Sequence, residues 1–261
     1  VFLWTGIDYL GEASGKWPKK GSGSGLLDLA GFEKPRYHMF KSLWNNEPHI
    51  YISSQKLKDS EYEIDSKGKI SYKKKEGWKF KTWKWQDVNE HWNYVHDEQI
   101  IVEVISNIDS VELFLNDQSL GMKYLSDFPD RIYKWLVPFR EGKLVAKNQK
   151  MEATIQTALE PATILLTTDK KQLNSDGYDV AHIIARLFDK KGNPVLHSNK
   201  KITFSIQGNV RSLGVDNGSN TNPGPYNSNT VITNNGNAML IVQSNKGAKG
   251  AVKVKALGNV L

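Results

Sequence analysis

From His49 to Ala256 the chain repeats one pattern, in which short apolar or alternating runs are broken by clusters of Gly, Pro, Asn and Asp. Runs of roughly five to eight residues are too short for packed helices and suit strands. The first group is His49–Ser53, Lys79–Trp85, Gln99–Asn107, Val111–Asn116, Ile132–Val137, Lys143–Lys147 and Glu152–Thr157. Asn116-Asp117 is expected to turn Val111–Leu115 back into a short Gln118–Leu120 strand. About seven strands at this pitch predict a sandwich of immunoglobulin type. Glu160-Pro161 marks a boundary, and Ala162–Thr168, Asp179–Phe188, Lys201–Ile206, Val210–Val215, Ala238–Gln243 and Ala251–Ala256 repeat the pattern. Turns are expected at Ser175–Gly177, Asp189–Pro194 and Asn234–Gly236.

The first 47 residues read differently. Val1–Trp4 is an apolar run that predicts a buried strand, stopped at Gly6. Pro35 suits a first helical turn, and Tyr37, Phe40, Lys41 and Trp44 follow at helical spacing, so a helix is predicted over Pro35–Trp44, ended before Pro48. The expected organisation is therefore 1–47, 48–158 and 159–261. The fold class is mainly β, with two tandem immunoglobulin-like sandwiches after a strand, loop and helix.

Several functions are excluded early. The chain of 261 residues has no cysteine, which rules out disulfides, thiolate metal sites and cysteine nucleophiles. No stretch reaches the roughly 18–20 apolar residues of a membrane span, and no secretory leader is visible. A start on Val1 rather than Met reads as a fragment or a processed chain. The net charge of +7 suggests polyanion binding, but its distribution argues against it. Between Lys56 and Lys84, ten lysines face five acids, so this segment carries most of the excess. There, lysines alternate with Tyr72, Trp78, Phe80, Trp83 and Trp85, the period of strands with one wet face, and Asp65–Gly68 is a natural turn. A solvated surface hairpin is the expected reading of that segment, with carbohydrate contact through Trp78, Trp83 or Trp85 as the alternative, and no nucleic-acid partner is expected.

Ordered motifs carry a resemblance. Phe2–Glu12 (FLWTGIDYLGE), Gly25–Phe32 (GLLDLAGF) and Tyr37 through Ser42-Leu43-Trp44 resemble the end of a glycoside hydrolase family 2 catalytic domain of the bacterial β-galactosidase type. His91–Tyr94 (HWNY), Ser110–Asn116 (SVELFLN) with Leu120-Gly121, Gly214–Gly218 (GVDNG) and Leu240–Ser244 (LIVQS) follow in the order of the accessory domains behind such barrels. The resemblance implies that residues 1–47 are a remnant of a (β/α)8 barrel, whose active site lies at the carboxyl ends of its strands. It implies that Trp4 is an aromatic wall of the sugar subsite, with Asp8 and Glu12 either on its rim or just behind the groups that touch a β-galactoside. It also implies a location outside the cytoplasm: periplasmic, cell-surface or secreted.

A retaining glycosidase needs two carboxylates about 5–5.5 Å apart. By the resemblance both catalytic glutamates precede this segment. Asp8, Glu12 and Asp28 receive no nucleophile or proton-transfer role, so the chain alone is expected to be inactive. His91, His96 and Asp97 are too sparse for a metal site, and the Asp216–Tyr226 loop offers one acid, thin for calcium. No metal and no cofactor are expected.

Two readings of different class follow. One is the accessory carboxyl-terminal part of a family 2 glycosidase; the other is a carbohydrate-binding or adhesion module of immunoglobulin-like repeats, since a fold does not define a function. Residues 1–47 favour the first, because an adhesin has no use for a barrel end. The remnant's apolar residues need cover, expected from the first sandwich through the Tyr37/Phe40/Trp44 helix face, or from self-association with a second copy.

Overall fold

A computed structural model describes residues 2–13, 15–73, 85 and 87–258. It contains two compact units, one comprising Pro35–Thr157 and the other joining the segment that ends at Lys34 to the residues from Ala158 onward. The 1–47 block expected from the sequence is thus shared between the units, with the helix in one and the preceding loop in the other.

In the Pro35–Thr157 unit, one antiparallel sheet has the order Ile50–Lys56, Gln99–Ser106, Ile132–Pro138. The second has the order Glu152–Gln156, Lys143–Lys147, Ser110–Leu115, Gln118–Tyr124. Alternate residues meet between them: Ile100, Val102, Val104, Tyr133 and Trp135 from the first sheet pack on Val111, Leu113, Leu144 and Ala146 from the second. Trp92 fills this core with no exposed surface and donates its indole N–H to the Arg140 carbonyl at 2.9 Å. Trp92 thereby anchors the His91–Tyr94 segment ahead of the Gln99–Ser106 strand. The turn at Asn116 and Asp117 has both residues at positive φ, 50° and 64°, the conformation that matches the twist of paired strands.

The Gln99–Ser106 strand is buried on both faces after its first residue, which explains its near-continuous apolar run. Helix Pro35–Trp44 supplies part of the outer cover, but through Met39, which packs on Tyr51 and Ile105. The expected Tyr37/Phe40/Trp44 face is corrected here. Phe40 and Trp44 rest on each other with ring centroids 4.7 Å apart, and Trp44 stays 65% exposed. A hairpin of Tyr62–Ile64 and Ile70–Tyr72, turned at Asp65–Gly68, forms as expected. Of the Lys79–Trp85 strand only Trp85 is described, beside Met39; Trp78, Phe80 and Trp83 lie outside the described residues.

The second unit repeats the sandwich. Pro161–Thr168, Val180–Asp189, Asn237–Ser244 and Val210–Asp216 form one antiparallel sheet in that order. Thr230–Ile232, Lys201–Gln207 and Lys253–Gly258 form the other. Val180–Asp189 alternates strictly, with Ala181, Ile183, Ala185 and Leu187 inward, as its sequence alternation predicts. The last strand begins two residues later than expected, and Thr230–Ile232 carries no sequence signal beyond three β-favouring residues.

The predicted Val1–Trp4 strand is not formed by its described residues. Phe2 is fully exposed, and the first regular pairing is the short hairpin of Tyr9–Leu10 with Gly21–Ser22. The segment's bonds run to residues 218–220 of the last sandwich, correcting the expectation that the first sandwich covers it.

Candidate functional site: an aromatic and acidic loop on the last sandwich

The loop from Trp4 to Glu12 sorts its polar side chains onto two sides. On the outer side, the Trp4 indole N–H donates to the Tyr9 hydroxyl at 3.1 Å, and that hydroxyl donates to the Glu12 carboxylate. The Trp4 and Tyr9 rings meet edge to face at 89°, with centroids 6.2 Å apart. Trp4 is nonetheless 72% exposed, so its flat face is open while its polar edge is held. Two of the three residues singled out from the sequence, Trp4 and Glu12, are thereby joined through Tyr9.

Asp8 goes the other way. Its side chain is about 3% exposed. Oδ1 accepts the Gly25 amide at 2.7 Å and the Lys34 ammonium at 2.6 Å, and Oδ2 accepts from the Asn220 side-chain amide at 3.1 Å. A carboxylate taken up on both oxygens by internal donors is a fastening rather than an open acceptor. Gly25 permits this approach, since a Cβ there would lie 2.2 Å from the Asp8 amide nitrogen.

The segment is also fixed at Asp28, whose Oδ1 accepts the Ala30 and Phe32 amides, both at 2.9 Å. The neighbouring Leu29 amide donates to the Gly218 carbonyl at 3.3 Å. Gly218 sits at φ 79°, and a Cβ on it would lie 1.9 Å from Asp28 Oδ2. Burial pushes the Asp28 carboxyl up to about 6, with Asp216 and Asp8 adding to the rise and the two amides opposing it. Burial also raises Asp216, which accepts the Asn217 and Gly218 amides.

The remaining candidates have local uses. His91 Nδ1 accepts the Asn93 amide at 3.2 Å, and His96 Nδ1 lies 3.0 Å from Asp97. In the Asp216–Tyr226 loop Asn222 accepts the Gly224 amide, and Asn217 ties the loop to the Ile232 carbonyl. Among the described residues no group of three or more His, Cys, Asp or Glu side chains could hold a metal. No helix among them is long and apolar enough to cross a membrane. The sequence reading missed Tyr9, Lys34 and Asn220. Tyr9 lies inside a motif that was read, whereas Asn220 lies in a turn-rich loop with no periodic signal.

Residues 164–261 match the family described as glycoside hydrolase family 2 C-terminal domain 5, and residues 97–155 match a domain of unknown function, DUF4982. The chain is 29% identical to the β-galactosidase BoGH2A of Bacteroides ovatus, over 98% of this chain and 26% of that protein. It is 28% identical to a putative β-glucuronidase of Formosa agariphila over 85% of this chain and 19% of that one. A solved glycosyl hydrolase family 2 structure from Bacteroides cellulosilyticus superposes with a TM-score of 0.83 at 29% identity, over 98% of this chain and 34% of that one. The chain thus resembles the carboxyl-terminal part of family 2 glycosidases and spans about a quarter or less of the length of these curated relatives.

Proposed function

We propose that this chain is the accessory carboxyl-terminal part of a retaining glycosidase acting on β-galactosides, with Trp4 and Glu12 on the edge of its sugar subsite. The carrying observation is the exposed Trp4 face whose indole N–H is tied through Tyr9 to Glu12. A large flat apolar surface with a fixed polar edge suits the C–H face of a sugar ring, and the Glu12 carboxylate accepts from a ring hydroxyl beside it. Asp8 serves the same loop from inside, holding its backbone rather than touching sugar.

Catalysis rests on two glutamates carried elsewhere in the longer protein. Neither Asp8, fully engaged, nor Glu12, bound to Tyr9, substitutes for that pair, so residues 1–261 alone hydrolyse no β-galactoside. The exposed apolar residues Phe2, Leu3, Ile7 and Leu10 are covered by the rest of the barrel in the intact enzyme, or by a second copy when the chain stands alone. The sandwiches buttress the barrel, and the enzyme works outside the cytoplasm, as the resemblance implies.

The name of BoGH2A, similar over nearly the whole chain, supports β-galactosides, whereas three relatives from Formosa agariphila carry β-glucuronidase names. In the full-length enzyme, Trp4→Ala should raise KM for an aryl β-galactoside about tenfold or more, the loss of one aromatic contact of about 1.5 kcal/mol. Unchanged kinetics, or faster turnover of the matched aryl β-glucuronide, would overturn the reading.

A further inference from the structure

The aromatic loop does not hold its shape alone. Its inner carboxylate, Asp8, takes one of its hydrogen bonds from a residue 212 positions away, in a loop of the last sandwich. Asn220 engages the segment at two points: its side-chain amide donates to Asp8 Oδ2, and its carbonyl accepts the Lys20 amide at 3.0 Å. The backbone on each side is shaped to admit it. A Cβ on Gly21 would fall 2.5 Å from Asn220 Oδ1 and 2.6 Å from the Tyr9 carbonyl, so only glycine lets the Tyr9–Leu10 hairpin close against Asn220. Lys20 reinforces the contact, its ammonium lying 4.0 Å from the centre of the Tyr226 ring in the same sandwich loop.

We propose that Asn220 is a positioning residue for the Trp4–Tyr9–Glu12 surface, so that the last sandwich is a working part of the sugar subsite rather than a remote support. The chain of cause is short. Asn220 and Lys34 hold the Asp8 carboxylate, and Asp8 holds the Gly25 amide. Tyr9 follows Asp8 directly, and its hydroxyl sets the Trp4 indole and the Glu12 carboxylate. Removing the Asn220 amide leaves a buried carboxylate oxygen without its donor, a costly state that the loop relieves by moving. The sugar-binding consequence rests on the reading of Trp4 given above, whereas the positioning itself does not.

The test uses residues 1–261 with 15N-labelled tryptophan and amide exchange. In Asn220→Ala the Trp4 indole N–H peak should move toward its solvent position, and the Gly25 amide should exchange at least tenfold faster. Protection of Ile183 and Leu240 in the same sandwich should stay as in the parent. Asn220→Asp should be worse, placing a second carboxylate beside Asp8. The reversed pair Asp8→Asn with Asn220→Asp should bring the Trp4 peak back, because donor and acceptor merely change sides. An unmoved Trp4 peak in Asn220→Ala overturns the proposal. So does an equal displacement in Asn209→Ala, a surface change elsewhere on that sandwich, and so does failure of the reversed pair to restore the peak. Titration with methyl β-galactoside then separates the two ideas. A wild-type Trp4 peak indifferent to sugar, alongside a displaced peak in Asn220→Ala, sinks the subsite and leaves the positioning intact.

Discussion

Tyr62 donates its hydroxyl to Glu103 at 2.5 Å, with both side chains buried on the outer face of the first sandwich. The carboxylate also accepts from Gln55 at 3.3 Å, and Lys134 stands opposite Glu103 in the strand register. Lys134 is itself tied to Asp130 at 2.5 Å and faces the rings of Tyr62, Tyr72 and Phe128. This polar group fastens the Tyr62–Ile64 hairpin to the sheet. Burial, first of all, raises the Glu103 carboxyl, and the hydrogen bonds and Lys134 oppose the rise.

Tyr62→Phe should therefore cost about 1.5–3 kcal/mol, the range for a lost hydrogen bond to a charged group. Urea unfolding at neutral pH checks it. The loss should shrink in a Glu103→Gln background, where the hydroxyl no longer meets a carboxylate.

Attachment of the amino-terminal segment should depend on pH through Asp28. Its folded value, about 6, lies above the ordinary 3.8. A raised carboxyl binds its proton more tightly in the folded state, so its contribution is complete below the ordinary value and is lost as pH rises through about 6. The protease resistance of residues 9–34 should fall between pH 4 and pH 7. Asp28→Asn should flatten that profile, and a profile unchanged by the substitution would remove Asp28 as its cause.

Trp92 is enclosed by Phe139 and Tyr94, with ring centroids at 5.4 and 6.0 Å. Trp92→Ala empties the centre of the first sandwich and strands the Arg140 carbonyl. A loss of about 3–5 kcal/mol is expected from chemical denaturation.

Two glycines of the last sandwich separate backbone strain from steric fit. Both have positive φ, 82° at Gly192 and 70° at Gly236. A Cβ at Gly192 meets nothing within 4 Å, whereas one at Gly236 would lie 2.0 Å from the Val195 carbonyl oxygen. Gly192→Ala should cost about 1 kcal/mol from the left-handed backbone alone. Gly236→Ala should cost clearly more, by about 2 kcal/mol or above, and equal thermal midpoints would contradict the distinction.

The strands were legible because burial against a facing sheet imposes a two-residue period on side chains. Lys143–Lys147 and helix Pro35–Trp44 appear with the predicted bounds, and Val180–Asp189 within a residue of them. The Asn234–Gly236 turn was legible for a different reason. Asn235 and Gly236, at φ 48° and 70°, tolerate the left-handed conformation that a tight hairpin needs.

Other features were not legible. An apolar run such as Phe2–Trp4 encodes a wish for cover without saying where cover comes from, and the described residues leave it exposed. The helix turns Met39 inward rather than Trp44, a choice made by the space above Tyr51 and Ile105. Asp8 and Glu12 look alike in sequence, yet one is enclosed by Gly25, Lys34 and Asn220 while the other meets Tyr9 on the outer side of the loop. Sequence alone determined the two sandwiches, their turns and the helix, since periodicity and turn chemistry act between near neighbours. The division of labour among Trp4, Asp8 and Glu12 was decided by tertiary structure, because it depends on a donor 212 residues away that no local pattern can announce.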